Sequence, residues 1–190
     1  MSGSILYIHG FNSAPASTKA SQLRRVMEQL GLAEQLRVPA LHHHPRQAIG
    51  QLEQAIAELG RPLLVGSSLG GYYATHLAER HGLKALLINP AVRPHLLLQQ
   101  HLGRYYHPVR QQHYEVRAEH LPLLQDLQVQ QLRRPSQYLV LLQSGDEVLD
   151  YRQALDFYQQ CQTDVQEGGD HSYQGYANRL PDIVKFCQLA

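Results

Sequence analysis

The stretch Leu63-Leu64-Val65-Gly66-Ser67-Ser68-Leu69-Gly70-Gly71-Tyr72 limits what this chain can fold into more than any other. A short apolar, β-compatible run stops at a glycine, presents a serine, and passes through Gly70-Gly71 into a helix-like segment, Tyr72 to Arg80. That is the strand–turn–helix context of a Gly-x-Ser-x-Gly nucleophile elbow, here Gly66-Ser67-Ser68-Leu69-Gly70 with Ser68 at the apex. Such a turn brings backbones so close together that only glycine fits on either side, and it holds the serine in a sparsely populated conformation. The following helix directs its first N–H groups and the positive end of its dipole towards charge developing near Ser68. By itself the pentapeptide also suits a Gly/Ser turn with no chemistry, so the rest of the chain must decide.

The surroundings repeat one alternation. Apolar runs at Ile5–Ile8, Leu63–Val65, Lys84–Ile88 and Gln137–Leu142, with shorter ones at Leu36–Val38 and Thr163–Gln166, predict strands. Between them lie segments with helical periodicity. One starts at Ser17 as N-cap, carries Leu23, Val26, Met27 and Leu30, and ends at Gly31. A second starts at Pro45 with Ala48, Leu52, Ala55, Ile56 and Leu59 on one face, and ends at Gly60. A third closes at Gly82; a fourth carries Ala154, Leu155 and Tyr158, and a last one is introduced by Pro181. Continuous apolar strands alternating with amphipathic helices predict an α/β three-layer sandwich, a mostly parallel sheet with helices on both faces. In such sheets function gathers at the carboxyl ends of strands. His9, Ser68, Asp146 and His171 all follow directly on expected strands.

Residues 90–134 break the rhythm. This span is rich in Leu, Gln, His and Arg, shows no evident β-run, and is expected to be a helical cap inserted into a single domain spanning 1–190. It carries Arg93, Arg104, Arg110, Arg117, Arg133 and Arg134 against Glu115, Glu119 and Asp126, which suits either an anionic substrate tail or a solvated helical surface.

Composition narrows the function classes. At 190 residues, with 43% hydrophobic and 17% charged residues, the chain is long enough for a sizeable core and ordinary for a globular protein. A formal net charge of +1 gives no sign of a nucleic-acid partner. No run is long and apolar enough for a membrane span, and the start at Met1-Ser2-Gly3-Ser4 has no secretory pattern. Cys161 and Cys187 are far apart and outside any CxxC, so reduced thiols and a cytoplasmic location are expected.

A serine hydroxyl is a weak nucleophile at neutral pH and needs an adjacent base oriented by a third group. Of the 12 histidines, only His171 combines a late position with a Gly-rich loop after a strand, Gly168-Gly169-Asp170-His171. Asp146, in Gly145-Asp146-Glu147-Val148, is the candidate orienting acid, with Asp150, Asp126 and Glu147 as alternatives. The chain order Ser, Asp, His is that of α/β-hydrolases. A tetrahedral oxyanion also needs donors, expected from the backbone N–H groups of Leu69 and Phe11. Gly10 lets the Phe11 loop approach, and His9 is expected to buttress it instead of moving protons.

Together, Tyr7-Ile8-His9-Gly10-Phe11-Asn12-Ser13, Gly66-Ser67-Ser68-Leu69-Gly70-Gly71-Tyr72, Gly145-Asp146-Glu147-Val148-Leu149-Asp150-Tyr151 and Gly169-Asp170-His171 resemble the small bacterial YqiA-type esterases of the α/β-hydrolase superfamily. The resemblance runs almost end to end. It implies a compact α/β-hydrolase fold lacking the usual first antiparallel strands, a Ser68–Asp146–His171 triad, and activity on short-chain aryl esters and acyl-CoA thioesters. A hydrolase-fold binding or regulatory protein with an idle triad, or an acyltransferase using the same residues, stands as the alternative.

Neither a cofactor nor a metal is expected. No Gly-x-Gly-x-x-Gly or Walker pattern is present, which removes NAD and ATP. His42-His43-His44 cannot all face one ion from an extended chain and are expected in an exposed loop. The spacing of His95, His101, His107, His113 and His120 matches neither helix nor strand.

Overall fold

A computed structural model describes residues 3–107 and 109–187. Met1 and Ser2, on which the expectation about the amino terminus partly rests, lie outside the described residues, as does Pro108 within the insertion.

The centre is a six-stranded, all-parallel sheet. Its strands are β1 (Ile5–Ile8), β2 (Leu36–Arg37), β3 (Leu63–Ser67), β4 (Ala85–Ile88), β7 (Tyr138–Gln143) and β8 (Gln162–Gln166), in the order β2-β1-β3-β4-β7-β8. Between β4 and β7 the chain makes an antiparallel hairpin, β5 (Gly103–His107) with β6 (Gln112–Val116). The inner strands β1, β3, β4 and β7 are buried along their whole length, and this is why their sequences run apolar without alternation. Edge strand β8 reads Gln-Thr-Asp-Val-Gln and is only partly covered.

Because successive residues point to opposite faces, the two faces bury different halves of each strand. Ile5, Tyr7, Val65, Leu86 and Ile88 pack against α1 (Thr18–Gln29) and α7 (Leu180–Cys187) through Leu23, Met27 and Ile183. Leu6, Ile8, Leu64, Leu87 and Val140 pack against α2 (Pro45–Leu59), α3 (Leu69–His81) and α6 (Tyr151–Phe157). The three-layer α/β architecture expected from the sequence is the one present.

Two local expectations need correction. Ser17 stands at the N-cap of α1, but its hydroxyl makes no capping hydrogen bond. Helix α3 begins at Leu69, not Tyr72, because the N–H groups of Gly71 and Tyr72 already close on the Ser68 carbonyl at 2.9 and 3.3 Å.

Residues 90–134 hold α4 (Pro94–Gln99), the hairpin, and α5 (His120–Gln125), so the span is helical at its ends and β in its middle. The hairpin leaves little trace in the sequence because its outward residues Arg104, Tyr106, Gln112, His113 and Glu115 dilute the apolar signal to Tyr105, Tyr114 and Val116. Helix α5 and the turn just after it are tied to α3, where the Tyr72 hydroxyl donates to the Leu124 carbonyl and His76 donates to the Leu127 carbonyl at 3.0 Å. Among the described residues no helix is long and apolar enough to cross a membrane.

Candidate active site

Strand β3 ends at Ser67, and the next residue turns the chain through φ 56°, ψ −121°. A non-glycine residue adopts that conformation only where its surroundings enforce it. Here Ser68 N–H donates to the Ile88 carbonyl at 3.0 Å, and its own carbonyl also accepts from Ala91 N–H at 3.1 Å. A Cβ on Gly66 would lie 2.4 Å from the Gly70 carbonyl oxygen, and one on Gly70 would lie 2.0 Å from that of Ile8. No side chain fits at either place, so the glycines let strand, turn and helix close up and lift the Ser68 hydroxyl above the sheet rim.

His171 comes from the loop after β8 and Asp146 from the loop after β7. His171 Nε2 lies 3.0 Å from Ser68 Oγ, and Nδ1 lies 2.8 and 3.0 Å from the two Asp146 carboxylate oxygens. The carboxylate fixes the tautomer: Nδ1–H donates to Asp146, which leaves Nε2 free to accept from the serine. Asp146 is nearly dry, its side chain 2% exposed against 22% for His171. Its charge is met by the imidazole and by the backbone N–H groups of Val148 and Leu149 at 2.9 and 2.8 Å. A buried carboxylate without such donors would be strongly destabilising.

The alternative acids are occupied elsewhere. Asp150 caps α6 by accepting from Arg152 N–H, and Asp126 closes the far end of α5. Glu147 accepts from the backbone N–H of His171 at 2.9 Å, so it holds the histidine loop instead of facing the ring. Burial pushes the Cys161 thiol up to about 11 and the Cys187 thiol up to about 12, which removes both as neutral-pH nucleophiles.

The Phe11 loop lies directly against the serine, since a Cβ on Gly10 would come 3.2 Å from Ser68 Cβ. Among the described residues, the backbone N–H groups of Phe11 and Leu69 have no acceptor. His9 is a strut: Nδ1–H donates to the Gly10 carbonyl at 3.0 Å, and Nε2 accepts from Leu41 N–H at 3.2 Å. Burial pushes the His9 pKa down, in keeping with the neutral ring which that acceptor role requires.

Two residues absent from the sequence-based set complete the site. Asn89 and Gln143 close the carboxyl ends of β4 and β7 and are almost fully buried, 2% and 3% exposed. Gln143 Oε1 accepts from Asp170 and Gln174 N–H at 3.1 and 2.8 Å, while its Nε2 donates to the Gln174 carbonyl at 2.7 Å. Asn89 Nδ2 donates to the carbonyls of Asp170 and His171 at 3.0 and 3.3 Å. The loop that carries the imidazole is thus bolted to the sheet by two satisfied amides. The available signal was an amide ending each apolar run, Ile88-Asn89 and Leu142-Gln143.

A cavity of about 280 Å3 opens over Ser68 and His171, with Phe11, Leu97, Leu98, Tyr105 and Val148 among its walls. The triple histidine is not in an exposed loop. His42 stacks on His43 at 4.2 Å between ring centroids, His43 lies on Tyr114 at 4.8 Å, and His44 meets His120 edge-on at 4.9 Å. Among the described residues no group of His, Cys, Asp or Glu is placed to hold a metal ion.

The fold and the rim geometry place this chain among proteins with the α/β-hydrolase fold. Mouse alpha/beta hydrolase domain-containing protein 10 superposes with a TM-score of 0.73 at 17% identity, over 97% of this chain and 89% of that one. Est1E from Butyrivibrio proteoclasticus with ferulic acid bound gives 0.70 at 14%, over 98% and 88%. More particularly, the chain belongs to UPF0227, an uncharacterised protein family whose model matches residues 4–188, and this is the family that its motifs resemble. A UPF0227 protein of Shewanella woodyi is 25% identical over 192 residues, 96% of this chain and 98% of the relative.

Proposed function

We propose that this protein is a serine hydrolase of carboxylic esters, acting on short-chain esters and on acyl thioesters through a covalent acyl-enzyme. One observation carries the reading: an unbroken hydrogen-bonded line from Ser68 Oγ through both nitrogens of His171 to a buried Asp146. His171 Nε2 takes the serine proton as Oγ attacks the carbonyl carbon, and Asp146 stabilises the imidazolium that forms. The tetrahedral oxyanion sits against the Phe11 and Leu69 N–H groups, where one lost donor costs roughly 3 kcal/mol. His171 then gives its proton to the departing alcohol or thiol, and the acyl group remains on Ser68. Water, deprotonated by the same ring, releases the acid and restores the serine. The apolar cavity above Ser68 suits a short acyl or aryl group.

The test is labelling with a fluorophosphonate probe, followed by a screen of esters and thioesters of increasing acyl length. Wild type should label and turn over, whereas Ser68→Ala should do neither, with kcat down by several orders of magnitude and Tm nearly unchanged. A Ser68→Ala protein retaining more than a few per cent of the rate would remove the nucleophile assignment.

A further inference from the structure

On the other side of Phe11 and Leu69 from the serine lies a second, smaller cavity of about 40 Å3, enclosed between the oxyanion loop, the 41–43 segment and the hairpin. Its walls include Asn12, His42, His43, His107, Arg110 and Tyr114, with no aspartate or glutamate. We propose that this cavity is a subsite for one anionic group of the substrate, a carboxylate or a phosphate, held beside the reacting carbonyl; this rests on the ester-hydrolase reading above.

Charge and geometry both lead there. Arg110 Nη2 donates to the carbonyls of Ala40 and Leu41 at 2.6 and 2.8 Å, which anchors the guanidinium at the cavity wall. Among the described residues Arg110 forms no ion pair with a carboxylate, unlike Arg117, Arg152 and Arg179. A fixed cation with neutral hydrogen-bond partners has its charge left over for a ligand. The same field is felt by its neighbours. Burial first, then the surrounding imidazoles and Arg110, push His43 down to about 4, and burial and Arg110 lower His42 as well. An anion in the cavity would offset that crowding. The positions of Arg110 and the rings are set by contacts that do not need the ligand: Tyr114 donates to Asn12 Oδ1 at 3.2 Å, and His107 donates to the Ser13 carbonyl at 3.1 Å. The site is thus preorganised, and its volume admits one oxyanion and no extended chain. Phe11 and Leu69 wall both cavities, so an anion held here lies a few atoms from the carbon under attack.

Two measurements test the subsite. In the first, kcat/KM is compared for ethyl hexanoate, the ethyl half-ester of adipic acid, and the corresponding phosphonate-bearing ester. Wild type should favour an anionic ester by about tenfold, the scale of one charge-assisted contact. The advantage should largely survive Arg110→Lys and vanish in Arg110→Gln. Whichever anion leads assigns the ligand. No advantage in wild type overturns the proposal, and so does an equal loss in both variants, which would assign Arg110 to anchoring the hairpin alone. In the second, inorganic phosphate is titrated into the Ser68→Ala protein while the imidazole resonances of His42 and His43 are followed. A saturable shift, absent when Arg110→Gln is added, supports the subsite; no saturable shift overturns it. That arm requires no turnover, so failure of the hydrolase reading and failure of the subsite are separately visible.

Discussion

The rim of the parallel sheet and the 90–134 insertion face each other across Ser68, yet they are held by different physics. At the rim, backbone meets backbone. Gly66, Gly70 and Gly145 are confined by carbonyls that a single Cβ would strike, and the amides of Asn89 and Gln143 clamp the histidine loop. The insertion instead docks through side chains: Phe11 meets the Tyr105 ring edge-on at 5.3 Å, His43 stacks on Tyr114, and Arg110 reaches two carbonyls. Backbone confinement leaves no graded response, because interpenetrating atoms must move the chain. Side-chain docking can weaken step by step. The proposed triad therefore stands on the unyielding half, and the proposed anion subsite on the half that can loosen locally.

The largest expected effect probes the rim. Asp146→Asn should keep the geometry but lose the tautomer, cutting kcat by about 10⁴ with little change in Tm. Asp150→Asn should cost under 1 kcal/mol of stability and leave kcat within a few-fold, since its role is a helix cap. The reverse ranking, read from steady-state kinetics, would transfer the acid role.

Next, Gly70→Ala should destabilise by more than about 4 kcal/mol or prevent folding, because the new methyl would meet the Ile8 carbonyl and neither backbone can retreat. A soluble Gly70→Ala protein with wild-type Tm would undo the claim of backbone confinement. By contrast, Tyr114→Ala should cost about 3 kcal/mol, and the loss should be local. Hydrogen exchange should rise in the hairpin and the Gly10–Asn12 loop while β3, β4 and β7 stay protected; a uniform rise would show the two halves to be one unit.

The smallest effect is a pH dependence at the contact between the 41–44 loop and the insertion. His43 is held near 4 by burial and by His42, His120, His44 and Arg110, against an ordinary value near 6.5. The unfolded chain therefore takes up the proton first as pH falls. The stability tied to a neutral His43 is complete above about 6.5 and is lost as pH drops towards and through 4. His43→Phe should flatten that part of the Tm–pH curve, and an unchanged slope would place the acid sensitivity elsewhere.

Local pattern alone determined a good deal of this protein. Continuous apolar runs such as Tyr138–Leu142 are legible as strands buried on both faces, and the periodicity of Pro45–Leu59 as a helix, because each signal is complete within a few residues. The Gly66–Gly70 turn is equally legible, since its steric demand is met by neighbours in the chain. What only the tertiary structure decided depends on residues far apart. Glu147, Asp150 and Asp146 sit within five positions, and nothing local says which of them faces an imidazole 25 residues further on. The buried amides of Asn89 and Gln143, and the hairpin whose tyrosines pack on Phe11, acquire their meaning from partners that no short window contains. Burial and pairing are properties of the assembled fold, and they chose among side chains that sequence leaves chemically equivalent.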